Sequence, residues 1–208
     1  MWKIPSLLIT ILGISFASLG QSASQEFYNS GEVKSVGSTE NEKKVGEWRY
    51  FYPDGTLSAI ENYSTGVLDG TVTYYYPNGQ LQGTEHWSNG TLKDSAHYYH
   101  GNGRLDKKGK YNNSSYDGTW HHYFENGVLE RVVSYTNGLP EGETLVYNEK
   151  GVLLQKGKYH MGKESGEWEF YSDEGDLNYV GNYREGEPVG IWHSYFKGKK
   201  KVYKKYRN

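Results

Sequence analysis

The sequence predicts an all-β fold: an elongated single-sheet ribbon of stacked 24-residue β-hairpin repeats, preceded by a signal peptide. Three observations predict it. A glycine returns without a break as Gly55, Gly79, Gly103, Gly127, Gly151 and Gly175. A leucine stands two residues later each time, at Leu57, Leu81, Leu105, Leu129, Leu153 and Leu177. An aromatic follows at Tyr63, Trp87, Tyr111, Tyr135, Tyr159 and Tyr183, and the spacing is 24 throughout with no insertion. A fixed period in this range marks a repeat array and outranks any single-residue motif.

The unit is clearest from Gly46 to Asp69, GEWRYFYPDGTLSAIENYSTGVLD. Its first run is rich in aromatic residues, which favour strands. The PDG that follows becomes PNG, GNG, ENG, EKG and DEG in later copies. A glycine closing such a turn supplies the positive φ a hairpin or bulge needs, and the structural turn glycines are therefore the six named first. Pro53 and Pro77 stand just before their turns, where a missing N–H costs no interior ladder bond. The glycine that opens the unit returns as Gly70, Gly118, Gly142, Gly166 and Gly190, with Asp94 breaking the series. Gly66, Gly90, Gly138, Gly162 and Gly186 mark what reads as a looser turn into the next hairpin, with Ser114 replacing glycine once.

Two columns tell how hairpins stack. One is Trp48, Val72, Ala96, Trp120, Thr144, Trp168 and Trp192; the other is Phe51, Tyr75, Tyr99, Tyr123, Tyr147, Tyr171 and Tyr195. They lie three residues apart, which in a regular strand puts them on opposite faces. Either both faces carry aromatics or a bulge re-aims one column. A lone hairpin is marginal in water, so neighbouring hairpins must bury these columns together.

Along the chain, residues 1–20 read as a signal peptide: Lys3 is the only charge, the run to Leu19 is apolar, and small residues precede Gln21. Residues 21–45 read as a degenerate N-terminal capping repeat whose polar run GSTENEKKVG is loose, since terminal repeats of arrays are atypical. Residues 46–196 hold six full repeats and one partial. Residues 197–208 form a basic C-terminal cap, whose lysines guard an open sheet edge or meet an acidic partner. The absence of cysteine excludes disulfides and cysteine metal sites. A net charge of −2 leaves no broad nucleic-acid footprint.

Gly46-x-Trp48, the aromatic pair Phe51-Tyr52, Gly55-x-Leu57, the later aromatic Tyr63 and then Gly66 together resemble the bacterial variant of the MORN repeat. The resemblance covers residues 46 to 196. It implies the hairpin ribbon. Such arrays occur in proteins labelled antitoxin components of toxin–antitoxin modules, which implies a protein partner such as a toxin. A secretory signal departs from a cytosolic antitoxin and fits only a toxin acting outside the cytoplasm.

No catalytic constellation stands out. His97, His121 and His193 share one repeat position, but residues one repeat apart sit roughly 10 Å apart by the strand spacing, too far to share a zinc ion. Glu47, Glu143 and Glu167 recur beside the hairpin glycine, with Glu169 nearby, and read as repeat grammar rather than as a carboxylate pair. The expectation is an exported, non-catalytic protein with no cofactor and no metal, placed in the periplasm, at the outer membrane or outside the cell. It has no stable transmembrane span once the signal is removed. The candidate binding face is Trp48, Tyr75, Tyr99, Trp120, Tyr123, Trp168, Tyr171, Trp192 and Tyr195, offered to another protein or, alternatively, to an envelope glycan. The repeat from Asp94 to Asp117 reads as a weak link with a notch beside Ala96, where Ala96→Trp is expected to stabilise the array if the position faces inward.

Overall fold

The computed structural model describes residues 20–207; the expected signal segment lies outside them except for Gly20. The described residues form no helix. Seventeen strands make one open antiparallel sheet, from Ser22–Phe27 to Lys199–Lys205. Each strand pairs with its neighbours in the chain, so the sheet is a single long meander. Val67–Leu68 and Gly70–Tyr75 are one strand interrupted at Asp69.

Two kinds of turn alternate along the two sides of the ribbon. The glycine-closed turn is a five-residue loop. In Tyr52–Thr56 the Tyr52 N–H donates to the Thr56 carbonyl at 2.8 Å and the Gly55 N–H to that of Tyr52 at 2.9 Å. Gly55 has φ 84° and its five equivalents are likewise positive, as the sequence predicts. The other turn, expected to be looser, is the tighter of the two. Thr65 and Gly66 have φ 49° and 89°, and Asn89 and Gly90 have 47° and 74°. Two consecutive positive φ values make a two-residue type I′ turn, whose twist matches that of the strands. Asn113-Ser114 keeps this turn without glycine, at 48° and 60°, and the Ser114 N–H still donates to the Leu92 carbonyl at 2.9 Å.

The opening glycine of each unit is a bulge. Asp117 pairs with Lys110 and His121 with Lys108, so Gly118, Thr119 and Trp120 together oppose Gly109. Gly118 has φ 65°, and Asp94 takes the same conformation at φ 59°. Aspartate tolerates this region better than most side chains.

The core is a single layer of side chains on one face. Trp48, Trp120, Trp168 and Trp192 are buried there, at 0–7% exposure, with Val72, Ala96 and Thr144 in the same column. Each indole covers the backbone of a glycine on the neighbouring strand: Trp48 on Gly37, Trp120 on Gly109, Trp168 on Gly157, Trp192 on Gly181. The Trp48, Trp120 and Trp168 ring nitrogens donate to the carbonyls of Ser38, Lys110 and Lys158 at 3.0–3.2 Å. Tyr111 and Tyr116 close over Trp120 with ring centres 5.1 and 4.0 Å away. Burying an indole in this way stabilises by roughly several kcal/mol.

Along the five-residue loops the repeats are stapled to one another. Tyr28, Tyr52 and Tyr76 donate their hydroxyls to the carbonyls of Phe51, Tyr75 and Tyr99 at 2.7–2.8 Å. His100 Nε2 lies 2.8 Å from the Tyr123 carbonyl in the next copy.

The N-terminal lead-in is regular. Ser22–Phe27 pairs with Val33–Glu40, and that strand with Lys43–Phe51. Its polar run is ordered strand joined by Asn41-Glu42, both at positive φ, which makes another two-residue turn. Ala96 is fully buried opposite Gly109, so no open notch stands there.

Candidate functional site

The two aromatic columns lie on opposite faces, so the expected single binding face divides. The tryptophans are core and offer no exposed ring faces. Around them the same face carries polar groups that satisfy one another. Lys44 Nζ is 3.0 Å from Glu26, 2.9 Å from the Tyr50 hydroxyl and 4.1 Å above the Trp48 ring. Tyr63 donates to Glu61 at 2.5 Å and lies 3.0 Å from the Tyr50 hydroxyl. Glu85 accepts from Tyr98 at 2.6 Å, from Trp87 at 3.0 Å and from Tyr74 at 3.1 Å. Burial, then the carboxylate Glu61, pushes the Tyr63 phenol up to about 12. Burial and Glu85 hold Tyr74 and Tyr98 far above the usual range as well. Glu26 is held low, chiefly by Lys44. These tyrosines are therefore neutral donors that hold the ribbon together.

The other face carries the second column. Tyr171 donates to Glu169, and Tyr195 lines a depression with His193, Glu167 and Glu169, which places this column away from the tryptophans. Tyr75, Tyr99, Tyr123, Tyr171 and Tyr195 are all half-buried, one per repeat. Burial, then Glu169, raises the Tyr171 phenol to about 12.

Shallow depressions on this second face lie behind glycines whose other side is covered by a tryptophan. One, of about 340 Å³ behind Gly157, brings together Glu143, Glu167 and Glu169 with Lys156 and Lys158. Another, of about 310 Å³, lies behind Gly181. A third, of about 200 Å³ behind Gly109, holds His97 and His121 with Lys108 and Lys110. His97 and His121 both pair with Lys108, one from each side, so a cationic strand stands between the two imidazoles. Burial, then Lys108, lowers the His121 pKa. Among the described residues no group of three histidines, cysteines or carboxylates converges as a metal site. Glu47 stands apart, paired with Arg49 at 2.7 Å.

The glycines that receive the indoles escape a reading of single columns. The signal was present: wherever tryptophan fills its column a glycine stands eleven residues earlier, and where Val72, Ala96 or Thr144 fills it that place holds Glu61, Glu85 or Val133.

Three segments, residues 44–64, 68–89 and 116–137, match the family model described as MORN repeat variant. In these three segments the chain carries MORN-type repeats. The three MORN segments span both kinds of hairpin core, since Trp48 and Trp120 occupy the column in two and Val72 in the third. No curated protein matches the chain. Among solved structures, "Crystal Structure of TcdB2-TccC3" shares 13% identity over 88% of this chain and 14% of that one, with a TM-score of 0.22. The Photorhabdus luminescens Tc holotoxin pore shares 14% over 85% of this chain and 13% of that one, with a TM-score of 0.19. The chain thus spans about 14% of the first of these, and at such scores the likeness says nothing of function.

Proposed function

We propose that the protein is a non-catalytic, exported scaffold that binds another protein along the face opposite its tryptophan core. The carrying observation is the half-buried tyrosine column Tyr75, Tyr99, Tyr123, Tyr171 and Tyr195, repeated once per hairpin on a ribbon stapled along its length. Tyrosine gives large contact area at low entropic cost and is enriched at binding hot spots. Acid and base alternate around it, as in the depression of Glu143, Glu167, Lys156 and Lys158, which suits a partner of mixed charge. The apolar run after Lys3 supports export to the periplasm, the outer membrane or the medium. The MORN-type repeats support a toxin as one class of partner. Among the described residues no helix is long and apolar enough to cross a membrane.

A second reading is favoured by one observation. Phe170, Tyr179, Tyr183, Pro188, Trp192, Tyr203 and Tyr206 line a cleft of about 290 Å³ at the C-terminal end of the core face, and Tyr179 and Tyr203 are exposed there. Open aromatic rings of this kind stack on sugar rings.

The test is crosslinking capture from the native cell envelope with wild-type protein and with Tyr99→Ala/Tyr123→Ala/Tyr171→Ala. The scaffold reading expects one dominant protein, lost with the triple variant. Unchanged capture by the triple variant removes the tyrosine face from the reading. Retention on envelope polysaccharide, abolished by Tyr179→Ala/Tyr203→Ala, favours the glycan reading instead.

A further inference from the structure

The sheet's two outer strands are complementary halves of a junction that the chain already makes seven times. Within each hairpin a first strand, bearing the tryptophan column, is followed by a second strand. Each second strand then pairs with the next first strand, as Leu177–Arg184 does with Glu187–Phe196. Among the described residues, Ser22–Phe27 is a first strand paired on one side only, and Lys199–Lys205 is a second strand paired on one side only. The free edge of each is the one that the junction uses.

The register carries through once a bulge at Tyr203 is counted. Tyr179 pairs with Ser194 and Val180 with His193. Within their own hairpin Tyr179 pairs with Phe170 and Val180 with Glu169; in the last hairpin Lys201 and Val202 take those places opposite Ser194 and His193, and seven periods earlier in the first strand stand Glu26 and Gln25. On the core face Lys204, opposite Trp192, holds the place that Glu85 holds opposite Val72, and Glu26 that of Tyr98; inside the chain that pair is hydrogen-bonded at 2.6 Å. Between two molecules it becomes lysine facing carboxylate. The flanking charges agree. Residues 197–207 carry six lysines, one arginine and no acid, whereas residues 21–42 carry Glu26, Glu32, Glu40 and Glu42 against Lys34 alone. Val202, Tyr203 and Phe27 are 57%, 55% and 56% exposed, so apolar side chains wait at both edges. Like-charged lysine edges oppose tail-to-tail pairing. Ser22 stands where the bulge glycine would be, so the contact is centred on Ser24–Phe27.

We propose that the protein associates head to tail: the basic edge strand Lys199–Lys205 of one molecule pairs with Ser22–Phe27 of a second copy and continues the sheet across the junction. This does not rest on the scaffold reading. The contact is heterologous, so successive copies build an open chain rather than a closed pair. One short strand edge is small by the standard of stable complexes, so association is weak and salt-sensitive.

Sedimentation velocity and small-angle scattering of the purified protein test it. The expected result is a mass that rises with concentration, a maximum dimension that grows by about one ribbon length per added molecule, and an affinity that falls about tenfold or more from low to moderate salt. Lys204→Glu/Lys205→Glu, with its strand content checked by circular dichroism, is expected to stay monomeric. Its head remains native, so a small amount added to wild-type protein is expected to cap and shorten the assemblies. Glu26→Gln is expected to weaken association from the other end. A monomer at every concentration overturns the proposal. So does a lysine variant that associates as wild type does, or one that fails to cap.

Discussion

The Trp120 indole covers the backbone of Gly109, and a Cβ placed at that glycine would overlap the ring. The same contact made by Trp48, Trp168 and Trp192 turns a single-layer sheet into a structure with a buried core. Gly109→Ala is expected to cost about 2–3 kcal/mol, because the ring must leave its place and its bond to the Lys110 carbonyl. Urea unfolding of Gly109→Ala, Trp120→Val and the double variant checks it. The double variant should fall well short of the sum of the two single losses, and additive losses would mean the contact is not what the glycine serves.

The same rule reverses the expectation for Ala96. The place eleven residues before it holds Glu85, which accepts from Tyr98, Trp87 and Tyr74. An indole at position 96 meets that carboxylate instead of bare backbone. Ala96→Trp is therefore expected to lower the melting temperature, and Ala96→Trp/Glu85→Gly to recover part of the loss. A single variant more stable than wild type would sink the rule.

Gly127 has φ 87° in its five-residue loop. A β-branched residue there is strained by about 1–3 kcal/mol, whereas asparagine tolerates the region. Thermal melts should rank wild type above Gly127→Asn, and that above Gly127→Val. Equal melts for the two variants would show that strain does not set the order.

His122 lies beside Trp120 with its Nε2 unpartnered. Burial, then Arg131 and Lys107, lowers its pKa to about 4 from 6.5. The unfolded chain therefore binds the proton first as pH falls, and stability is lost between about pH 6.5 and 4. Partial exposure discounts the effect to on the order of 1 kcal/mol. Phe170 occupies the same repeat position, so His122→Phe should fold and show a shallower loss of stability over that interval. A slope equal to that of wild type would assign the acid sensitivity elsewhere.

The period made the ribbon, its strand order and the turn glycines legible, because each depends on spacing alone. Tightness of the second turn was harder to read. It needs two successive positive φ values, and Thr65, Met161 and Glu185 adopt the first without advertising it. Asp94 and Ser114 looked like defects because they break glycine columns, yet they hold φ 59° and 60° and leave the geometry intact. The division of the aromatic face was within reach of strand alternation, since Trp168 and Tyr171 are an odd number of residues apart. Burial of the tryptophans was not, because it arises from a partner on the neighbouring strand rather than from the column itself.

The staples from Tyr28 to Phe51, Tyr52 to Tyr75 and Tyr76 to Tyr99 each join a residue to the one just before its counterpart one unit along. Cutting out or copying a whole unit among those that carry these tyrosines rejoins ends that make the same bond at the same place. Unequal crossing-over between neighbouring repeats in the gene thus yields a protein that is longer or shorter but never out of phase. Length is the one property of such a molecule that inheritance can change in a single event without asking the rest of the fold to adjust.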